Sequence, residues 1–224
     1  RGIMVKIWGR PTSICTQRVL WACAEAQVEF ELTLASGTMG VGGHVSIGVE
    51  PYGSVDTNWY RAMNPNGTVP TIDDGGFVLW ESNAIVAYLA QQYGHGSLVD
   101  GTPATLARAM QWMSWTNENF EPPLHVLVME LSRLREDLRT PGAAEEGAKS
   151  MGTALQTLDA HLASNDYVAG DKFSMGDIPT GAAAYRWKVF DQPGPATPNL
   201  DAWLSRLAQR EGFRRHIAPT EFHV

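Results

Sequence analysis

The chain has 224 residues, of which 44% are hydrophobic and 18% are charged. This composition is typical of a globular protein with one large domain or two small ones, and it excludes a disordered chain. A net charge of -7 argues against nucleic acid as the main partner. No apolar run approaches the roughly 20 residues that a transmembrane helix needs. Since no signal peptide is recognisable either, we expect a cytoplasmic protein without a membrane partner.

The first elements are predicted to be a strand, a helix and a second strand. The buried strand IMVKIWG (3–9) is followed by the helix SICTQRVLWACAEA (13–26), for which Ser13 is a suitable N-cap. Residues 28–34 alternate apolar and polar side chains, as a half-exposed strand does. Two strands joined by a crossover helix lie parallel with a right-handed connection.

A glycine-rich segment, a hairpin and a helix come next. Residues 36–54 fit neither the phosphate loop nor the dinucleotide-binding fingerprint, so we expect a plain loop. After one or two helical turns (56–63), TVPTI and GFVLW form two short strands joined by DDGG (68–80). Pro70 lies inside the first of these strands, where it removes a hydrogen-bond donor. The helix ESNAIVAYLAQQY (81–93) follows the second strand.

The composition changes after residue 93. GHGSLVDGTP is typical of a linker, and no strand pattern occurs beyond it. Helices are predicted at 104–135, with a bend at Pro122-Pro123, and at 143–163, 175–190 and 199–210. We therefore expect an α/β N-terminal domain (4–93), a linker (94–102) and an all-helical C-terminal domain (103–224).

The two cysteines, Cys15 and Cys23, fall on one predicted helix and are therefore about 12 Å apart. A disulfide needs Cα atoms within about 7 Å of each other. Both cysteines are thus expected to be free thiols, which suits a reducing cytosol. The six histidines form no HxxxH pair and the cysteines no CxxC pair, so no metal site is predicted.

The positions of Pro70, Glu81 and Ser82 indicate a peptide ligand. The order of elements matches the thioredoxin arrangement, in which a cis-proline, costing only about 0.5–1 kcal/mol relative to trans, begins the strand that faces the active site. The backbone of Val69 would then offer a free edge to an extended peptide. Glu81 and Ser82 open the next helix, whose amides favour a carboxylate, and Glu81 can accept hydrogen bonds from an ammonium group. Glutathione has both groups at one end and a peptide in its middle.

Two segments resemble the cytosolic glutathione S-transferase family. NPNGTVPTIDDGGFVLWESNAIVAYL (64–89) is similar to the family's glutathione-binding segment, and FSMGDIPTGAAAY (173–185) to the capping-box segment of its helical domain. The resemblance covers the whole chain. It implies a thioredoxin-like N-terminal domain, an all-helical C-terminal domain, glutathione as co-substrate, and a homodimer.

The resemblance also assigns roles within the ligand site. Val69 and Pro70 are expected to hold the cysteinyl part of glutathione. Glu81 and Ser82 are expected to hold its γ-glutamyl part. His44, in the glycine-rich loop, is expected to reach the glycine carboxylate.

Members of this family bind glutathione as the thiolate, which attacks a small hydrophobic electrophile. Lowering the thiol pKa from about 8.5 to about 6.5 takes about 2.7 kcal/mol, and one hydrogen bond to a charged acceptor supplies about 1.5–3 kcal/mol. One hydroxyl at the start of the first helix is therefore enough. Ser13 matches the activating serine by position, although a capping role competes for the same side chain. Cys15 is the rival, because a cysteine near a helix N-terminus can form a mixed disulfide with glutathione.

Three alternatives to glutathione transfer stay open. SICTQRV (13–19) resembles the SSC motif of the zeta class, the maleylacetoacetate isomerases, but Ile14 and Glu81 depart from the serine and glutamine of that class. Cys15 could instead carry thiol–disulfide exchange. A member whose site has decayed would be a binding or regulatory module without turnover.

The electrophile is expected between the two domains, over the sulfur of glutathione. Trp112, Trp115 and Phe120 on the first long helix, together with Tyr185, are the candidates for lining this pocket. Tryptophans at i and i+3 also fit the core of a helical domain, so both interpretations stand.

Overall fold

The computed structural model describes residues 4–36 and 52–219. Its N-terminal half contains, in order, β1 (Val5–Gly9), α1 (Ile14–Ala26), β2 (Phe30–Leu34), α2 (Asn58–Met63), β3 (Thr71–Asp74), β4 (Phe77–Trp80) and α3 (Ser82–Gln92).

The four strands form one mixed sheet in the order β2-β1-β3-β4. β1 and β2 are parallel, whereas β3 runs antiparallel to both β1 and β4. α1 packs against α3, and the buried strand residues Val5, Ile7 and Ile72 belong to the same core as these helices. The predicted thioredoxin-like arrangement is confirmed.

Two strands begin later than predicted, each for a local reason. α1 ends with Gln27 in the left-handed conformation (φ 55°, ψ 38°). The N–H of Val28 then donates to the carbonyl of Cys23 at 2.9 Å, so β2 begins only at Phe30. β3 begins at Thr71. The prediction that Pro70 lies inside a strand is therefore wrong, because Pro70 stands one residue before β3. Its missing N–H therefore removes no hydrogen bond from the sheet.

The C-terminal half is helical, as predicted. It contains α4 (Pro103–Trp115), α5 (Glu121–Val128), α6 (Ala143–Leu162), α7 (Asp177–Phe190), α8 (Pro198–Leu207) and α9 (Glu211–His216). π-helical turns at Thr116–Phe120 and Met129–Arg133 follow α4 and α5, and Glu136–Leu138 forms a 3-10 turn. In the two described ranges, every helix is too short or too polar to cross a membrane.

The predicted long helix 104–135 is divided at the π-helical turn and not at its prolines. Pro122 and Pro123 stand in the first turn of α5. Backbone N–H groups in a first turn have no intrahelical acceptor, so proline removes no helical hydrogen bond there. The segment between the two halves is packed and not free, because Leu98 is buried and its carbonyl accepts a hydrogen bond from the N–H of Met175 at 3.0 Å. The domain limits given above stay a prediction.

Asp177 ties three segments of the helical half together. Its carboxylate accepts hydrogen bonds from the N–H of Ser174 at 2.9 Å, the N–H of Val168 at 3.0 Å and the indole N–H of Trp203 at 3.0 Å. The side chain is fully buried, and burial raises its pKa to about 6. The capping-box spacing in SMGD therefore indicates a structural carboxylate.

The short helix α9, which the sequence analysis does not predict, packs back on the N-terminal half. Phe213 meets the indole of Trp21 edge to face, with ring centroids 5.3 Å apart. Gly212 allows this approach, because a Cβ there would stand 2.5 Å from Trp21. The ring of His216 lies against Phe30, with centroids 6.2 Å apart.

His216 gives this contact a pH dependence. Burial, and to a smaller extent the charge of Arg215, lowers the pKa of His216 to about 4. The unfolded chain has a histidine pKa near 6.5 and so binds the proton more readily. The contribution of the neutral His216 ring to folding stability is therefore present above pH 6.5 and is lost as the pH falls towards 4.

The free energy of unfolding of the wild type should fall between pH 7 and pH 4.5. We expect this fall to be about 2 kcal/mol smaller in His216→Gln. Urea denaturation at both pH values measures this difference. His95→Gln is the control for the loss of a histidine, because His95 is exposed and belongs to neither α9 nor β2. Equal pH dependence in wild type and His216→Gln would contradict the prediction.

Candidate active site

The register of the sheet brings three segments to one edge. Trp8, next to the end of β1, pairs with Thr71 at the start of β3, and Thr71 pairs with Trp80 at the end of β4. The loop that follows β1, the residues that precede β3 and the residues that follow β4 must therefore meet there. These segments contain Ser13 and Cys15, Val69 and Pro70, and Glu81 and Ser82.

Val69 presents its backbone at this edge. The Val69-Pro70 peptide bond is cis. Within the described residues, neither the N–H nor the C=O of Val69 takes part in a hydrogen bond. The strand edge expected from the sequence is thus available for pairing with an extended ligand.

A buried polar network fixes the segment that carries Val69. The hydroxyl of Tyr60 donates to the carbonyl of Thr68 at 2.7 Å and lies 2.8 Å from Oγ1 of Thr71. The side-chain amide of Asn64 donates to the same two groups, at 2.9 and 3.2 Å. Tyr60 and Asn64 are 0% and 1% exposed, so water does not compete for these bonds. The network holds both residues that flank the Val69-Pro70 pair.

Glu81 and Ser82 open α3 in an unusual conformation. Glu81 has φ 73° and ψ 113°, a region that residues other than glycine seldom occupy. It stands at the N-cap position, but its side chain makes no capping hydrogen bond. Ser82 Oγ has no hydrogen-bond partner among the described residues. A helix start that leaves the carboxylate of Glu81 and the hydroxyl of Ser82 uncommitted favours the ligand-binding interpretation over simple capping.

Ser13 lies at the N-terminus of α1, as predicted. Its Oγ accepts a hydrogen bond from the N–H of Thr16 at 3.5 Å, a long distance for such a bond. The side chain of Thr16 also fits over Gly9, where a Cβ would stand 2.6 Å from it, and its hydroxyl accepts from the N–H of Arg10 at 3.3 Å. These contacts seat the first turn of α1 against the end of β1.

The expectation that capping and thiol activation compete for Ser13 needs correction. A hydroxyl has one proton and two lone pairs. Capping uses a lone pair, because Ser13 accepts from Thr16, whereas stabilising a thiolate uses the proton. The two roles can therefore coexist in one side chain.

A cavity of about 170 Å³ opens beside Ser13 and Cys15. It lies between the start of α1 and the helices of the C-terminal half. Its lining residues are Ser13, Ile14, Cys15, Glu121, Leu124, His125, Val128, Arg133 and Arg186. The cavity occupies the position, between the two halves, in which the second substrate is expected.

The four aromatic residues predicted to line the electrophile pocket do not line this cavity, and their role stays a prediction. Trp112 contacts the ring of His161, with centroids 4.4 Å apart, and Trp115, with centroids 4.9 Å apart. Phe120 is fully buried, and the hydroxyl of Tyr185 donates to the carbonyl of Ala218. None of the four is among the residues that line the cavity.

Two arginines that the sequence analysis does not single out hold the loop before α1. Arg133 donates to the carbonyl of Thr12 at 3.3 Å, and Arg186 donates to the same carbonyl at 3.0 Å. They are 7% and 4% exposed. Burial, then the charge of Arg10, lowers the pKa of Arg133 to about 10, and burial, then the charge of Arg133, lowers that of Arg186 to about 9. Both remain cations at neutral pH.

The remaining sequence predictions concern the two cysteines, His44 and a metal site. Cys15 is partly buried, Cys23 is buried, and both are free thiols as predicted. His44 lies outside the described residues. In residues 4–36 and 52–219, no three His, Cys, Asp or Glu side chains cluster in a way that could hold a metal ion.

Comparison with known proteins agrees with this geometry. The family models for the glutathione S-transferase N-terminal and C-terminal domains match residues 12–92 and 130–211. Glutathione S-transferase GstB of Escherichia coli strain K12 is 32% identical over 216 residues, which span 96% of this chain and 98% of that protein. The chain belongs to the glutathione S-transferase family, and it is an enzyme of that family.

Other family members are also similar along the whole length. Glutathione S-transferase 3 of Zea mays is 30% identical, and the match covers 96% of this chain and 93% of that protein. The crystal structure of the theta class glutathione S-transferase from Xanthomonas axonopodis pv. citri with glutathione bound is 36% identical, with a TM-score of 0.86 and coverage of 98% and 99% of the two chains.

The network around Val69 predicts an effect of Tyr60 on ligand affinity without contact to the ligand. Tyr60→Phe removes two hydrogen bonds from the residues that flank Val69 and Pro70, so we expect glutathione affinity to fall about threefold to tenfold. Tyr88→Phe is the matched control, because it removes a hydroxyl bonded to Asp74, away from this edge. Calorimetric titration compares the two variants, and equal affinity for wild type and Tyr60→Phe would disprove the role of the network.

Proposed function

We propose that this glutathione S-transferase binds glutathione as a thiolate at the sheet edge and transfers it to an electrophile in the adjoining cavity. The observation that carries the proposal is the register Trp8–Thr71–Trp80, which places the start of α1, Val69 and the start of α3 side by side. A peptide lying along Val69 would have its sulfur near Ser13 and its γ-glutamyl end near Glu81 and Ser82.

Each part of glutathione has a matching group. The free N–H and C=O of Val69 suit the amide groups on either side of the cysteinyl residue. The amides at the start of α3 suit the γ-glutamyl carboxylate, and the uncommitted carboxylate of Glu81 suits the neighbouring ammonium. The relative from Xanthomonas axonopodis pv. citri has glutathione bound, which supports glutathione as the ligand. For the glycine carboxylate, His44 stays the predicted partner.

Ser13 is the proposed activating group. Its proton is available for the sulfur while its lone pair caps α1, and one hydrogen bond to a charged acceptor supplies about 1.5–3 kcal/mol. The start of α1 adds about 0.3–1 kcal/mol. Together these stabilise the thiolate enough for reaction near neutral pH, with no general base.

The other proposed activities gain no comparable support. The matched relatives named above are transferases, and the isomerase interpretation rests only on the partial SSC motif. Cys15 lines the same cavity as Ser13, so thiol–disulfide exchange through Cys15 is the second candidate. Val69, Glu81 and Ser82 are all present at this edge, which argues against a binding module whose glutathione site has decayed.

We also propose a homodimer in the cytosol. The edge strand β4 exposes Phe77 and Val78, which are 49% and 36% accessible, and Met110 on α4 is 49% accessible. Large apolar side chains at an edge strand are typical of a surface that a partner covers. The free thiols of Cys15 and Cys23 suit a reducing compartment.

Thiolate absorbance near 240 nm separates the two candidate activators. Ser13→Ala should abolish the absorbance rise on glutathione binding and lower kcat/KM by about 10-fold to 100-fold, because the thiolate loses its donor. Cys15→Ala should keep both the absorbance rise and the wild-type kcat/KM. Thr102→Ala, which removes the N-cap of α4, controls for the loss of a cap. If Cys15→Ala alone abolishes activity with disulfide substrates, thiol–disulfide exchange through Cys15 is the correct function.

Glu81 tests the position of the γ-glutamyl end. Glu81→Gln removes the charge that faces the ligand ammonium, so we expect glutathione to bind about 10-fold more weakly. Glu31→Gln is the control, since Glu31 is an exposed carboxylate on β2. Fluorescence titration measures both variants, and unchanged affinity of Glu81→Gln would mean that the ligand end lies elsewhere.

A further inference from the structure

Helix α5 turns one of its faces towards the cavity beside Ser13. The cavity-lining residues of this helix are separated by three or four positions, which places them on one side of the helix. They are Glu121, Leu124, His125 and Val128. The start of α1, from Ser13 to Cys15, also lines the cavity. The cavity therefore lies between the start of α1 and this face of α5.

His125 is the titratable side chain on this face of α5 that has no partner. Glu121 is already paired with Arg18 of α1. Among residues 4–36 and 52–219, the ring of His125 takes part in no hydrogen bond, ion pair or aromatic contact. His125 is also exposed. Its imidazole thus borders the cavity and can exchange protons with the solvent.

The other polar side chains of the cavity are less suited to releasing a proton at this position. Arg133 and Arg186 remain cations at neutral pH, whatever they bind. The hydroxyl of Ser13 serves the thiolate in the proposed function, and Cys15 belongs to α1, as Ser13 does. Histidine is the side chain that most often transfers protons in enzymes. His125 is therefore the best-suited proton donor on the α5 side.

An electrophile in this cavity would lie between the sulfur of glutathione and His125. The proposed function places the sulfur near Ser13, on the α1 side. A nucleophile that displaces a group from a saturated carbon attacks opposite to the bond that breaks, because the reacting orbitals must be in line. The leaving group consequently moves away from α1, towards the face of α5 that carries His125.

The size and the lining of the cavity favour a small electrophile. Its volume of about 170 Å³ is below the roughly 300–1,000 Å³ that is usual for sites of drug-sized ligands. Its apolar wall consists of Ile14, Leu124 and Val128, which suit a short hydrocarbon chain. An electrophile that fits this space can touch both the α1 side and the α5 side.

We propose that this enzyme opens small epoxides and that His125 is the catalytic residue that protonates the epoxide oxygen. This oxygen leaves its carbon as a strongly basic alkoxide, so a positioned proton donor accelerates the step. A halide is a weak base and needs no proton when it leaves. The inference rests on the proposed function, because the nucleophile is still the thiolate of glutathione.

The reaction is balanced without a further reactant. The thiol proton leaves to solvent when glutathione binds. The thiolate sulfur donates an electron pair to the terminal carbon of the epoxide, so a C–S bond forms. The C–O bond breaks, the oxygen keeps its electron pair, and the protonated ring of His125 gives it a proton. The neutral ring then takes a proton from solvent, which replaces the one released by the thiol.

A matched pair of electrophiles tests the proposal. 1,2-Epoxybutane and 1-bromobutane have the same four-carbon chain and react at the terminal carbon, but only the epoxide oxygen needs a proton. Chromatography of the S-alkyl product measures both reactions. Each enzymatic kcat/KM is divided by the rate constant of the uncatalysed reaction with glutathione. We expect the wild-type enzyme to accelerate the epoxide at least 10-fold more than the bromide.

Substitution of His125 locates the source of this preference. His125→Gln keeps a hydrogen-bond donor but cannot release a proton. It should lower the normalised kcat/KM for the epoxide about 10-fold or more, mainly through kcat, and change that for the bromide less than threefold. His95→Gln is the control, because His95 is an exposed histidine that does not line this cavity.

The possible failures are distinguishable. An equal loss with both electrophiles in His125→Gln would mean that His125 only shapes the cavity, which overturns the inference. A loss with the epoxide in Cys15→Ala and none in His125→Gln also overturns it. Turnover of the bromide without a preference for the epoxide overturns the inference and leaves the proposed function standing. No thiolate absorbance and no turnover of either compound would overturn the proposed function as well.

Discussion

The carbonyl group of Thr12 is the point on which the active site depends. Two buried guanidinium groups, from Arg133 and Arg186, donate to it from the helical half of the chain. The loop that they hold leads directly into Ser13 and Cys15, so the helical half helps to fix the start of α1, where we propose that the sulfur of glutathione binds. The same two arginines form part of the cavity wall. This pair of hydrogen bonds thus joins the two halves of the chain and holds the loop that leads into α1.

The sequence was sufficient where the structure depends on neighbours along the chain. Ser13 as N-cap, the capping carboxylate Asp177 and the hairpin 71–80 each follow from local hydrogen bonding and turn chemistry, and the structure has all three. The cis bond before Pro70 was likewise expected from the order of elements and is present. The family resemblance then predicted the ligand at this edge, where the register of β1, β3 and β4 brings the candidate residues together.

The remaining features depend on contacts between distant parts of the chain. Arg133 and Thr12 are 121 residues apart, and Arg186 and Thr12 are 174 apart, so no local pattern distinguishes these arginines from solvated ones. Trp112 and Trp115 are spaced as core or pocket residues alike, and the contact of Trp112 with His161, 49 residues away, is not visible in the local pattern. The role of Tyr60 required knowing that α2 lies under Thr68 and Thr71. Sequence patterns predict which elements form, whereas the lining of the cavity arises only from their assembly.

The backbone of Glu81 shows how binding and stability oppose each other in this fold. A non-glycine residue at φ 73° and ψ 113° carries a conformational penalty of about 1–3 kcal/mol. A glycine would adopt this geometry without steric conflict, yet it would delete the one carboxylate at the mouth of α3. Selection for folding alone would therefore favour glycine at position 81. In the proposed function, the ion pair between the carboxylate of Glu81 and the ammonium group of glutathione offsets this backbone penalty.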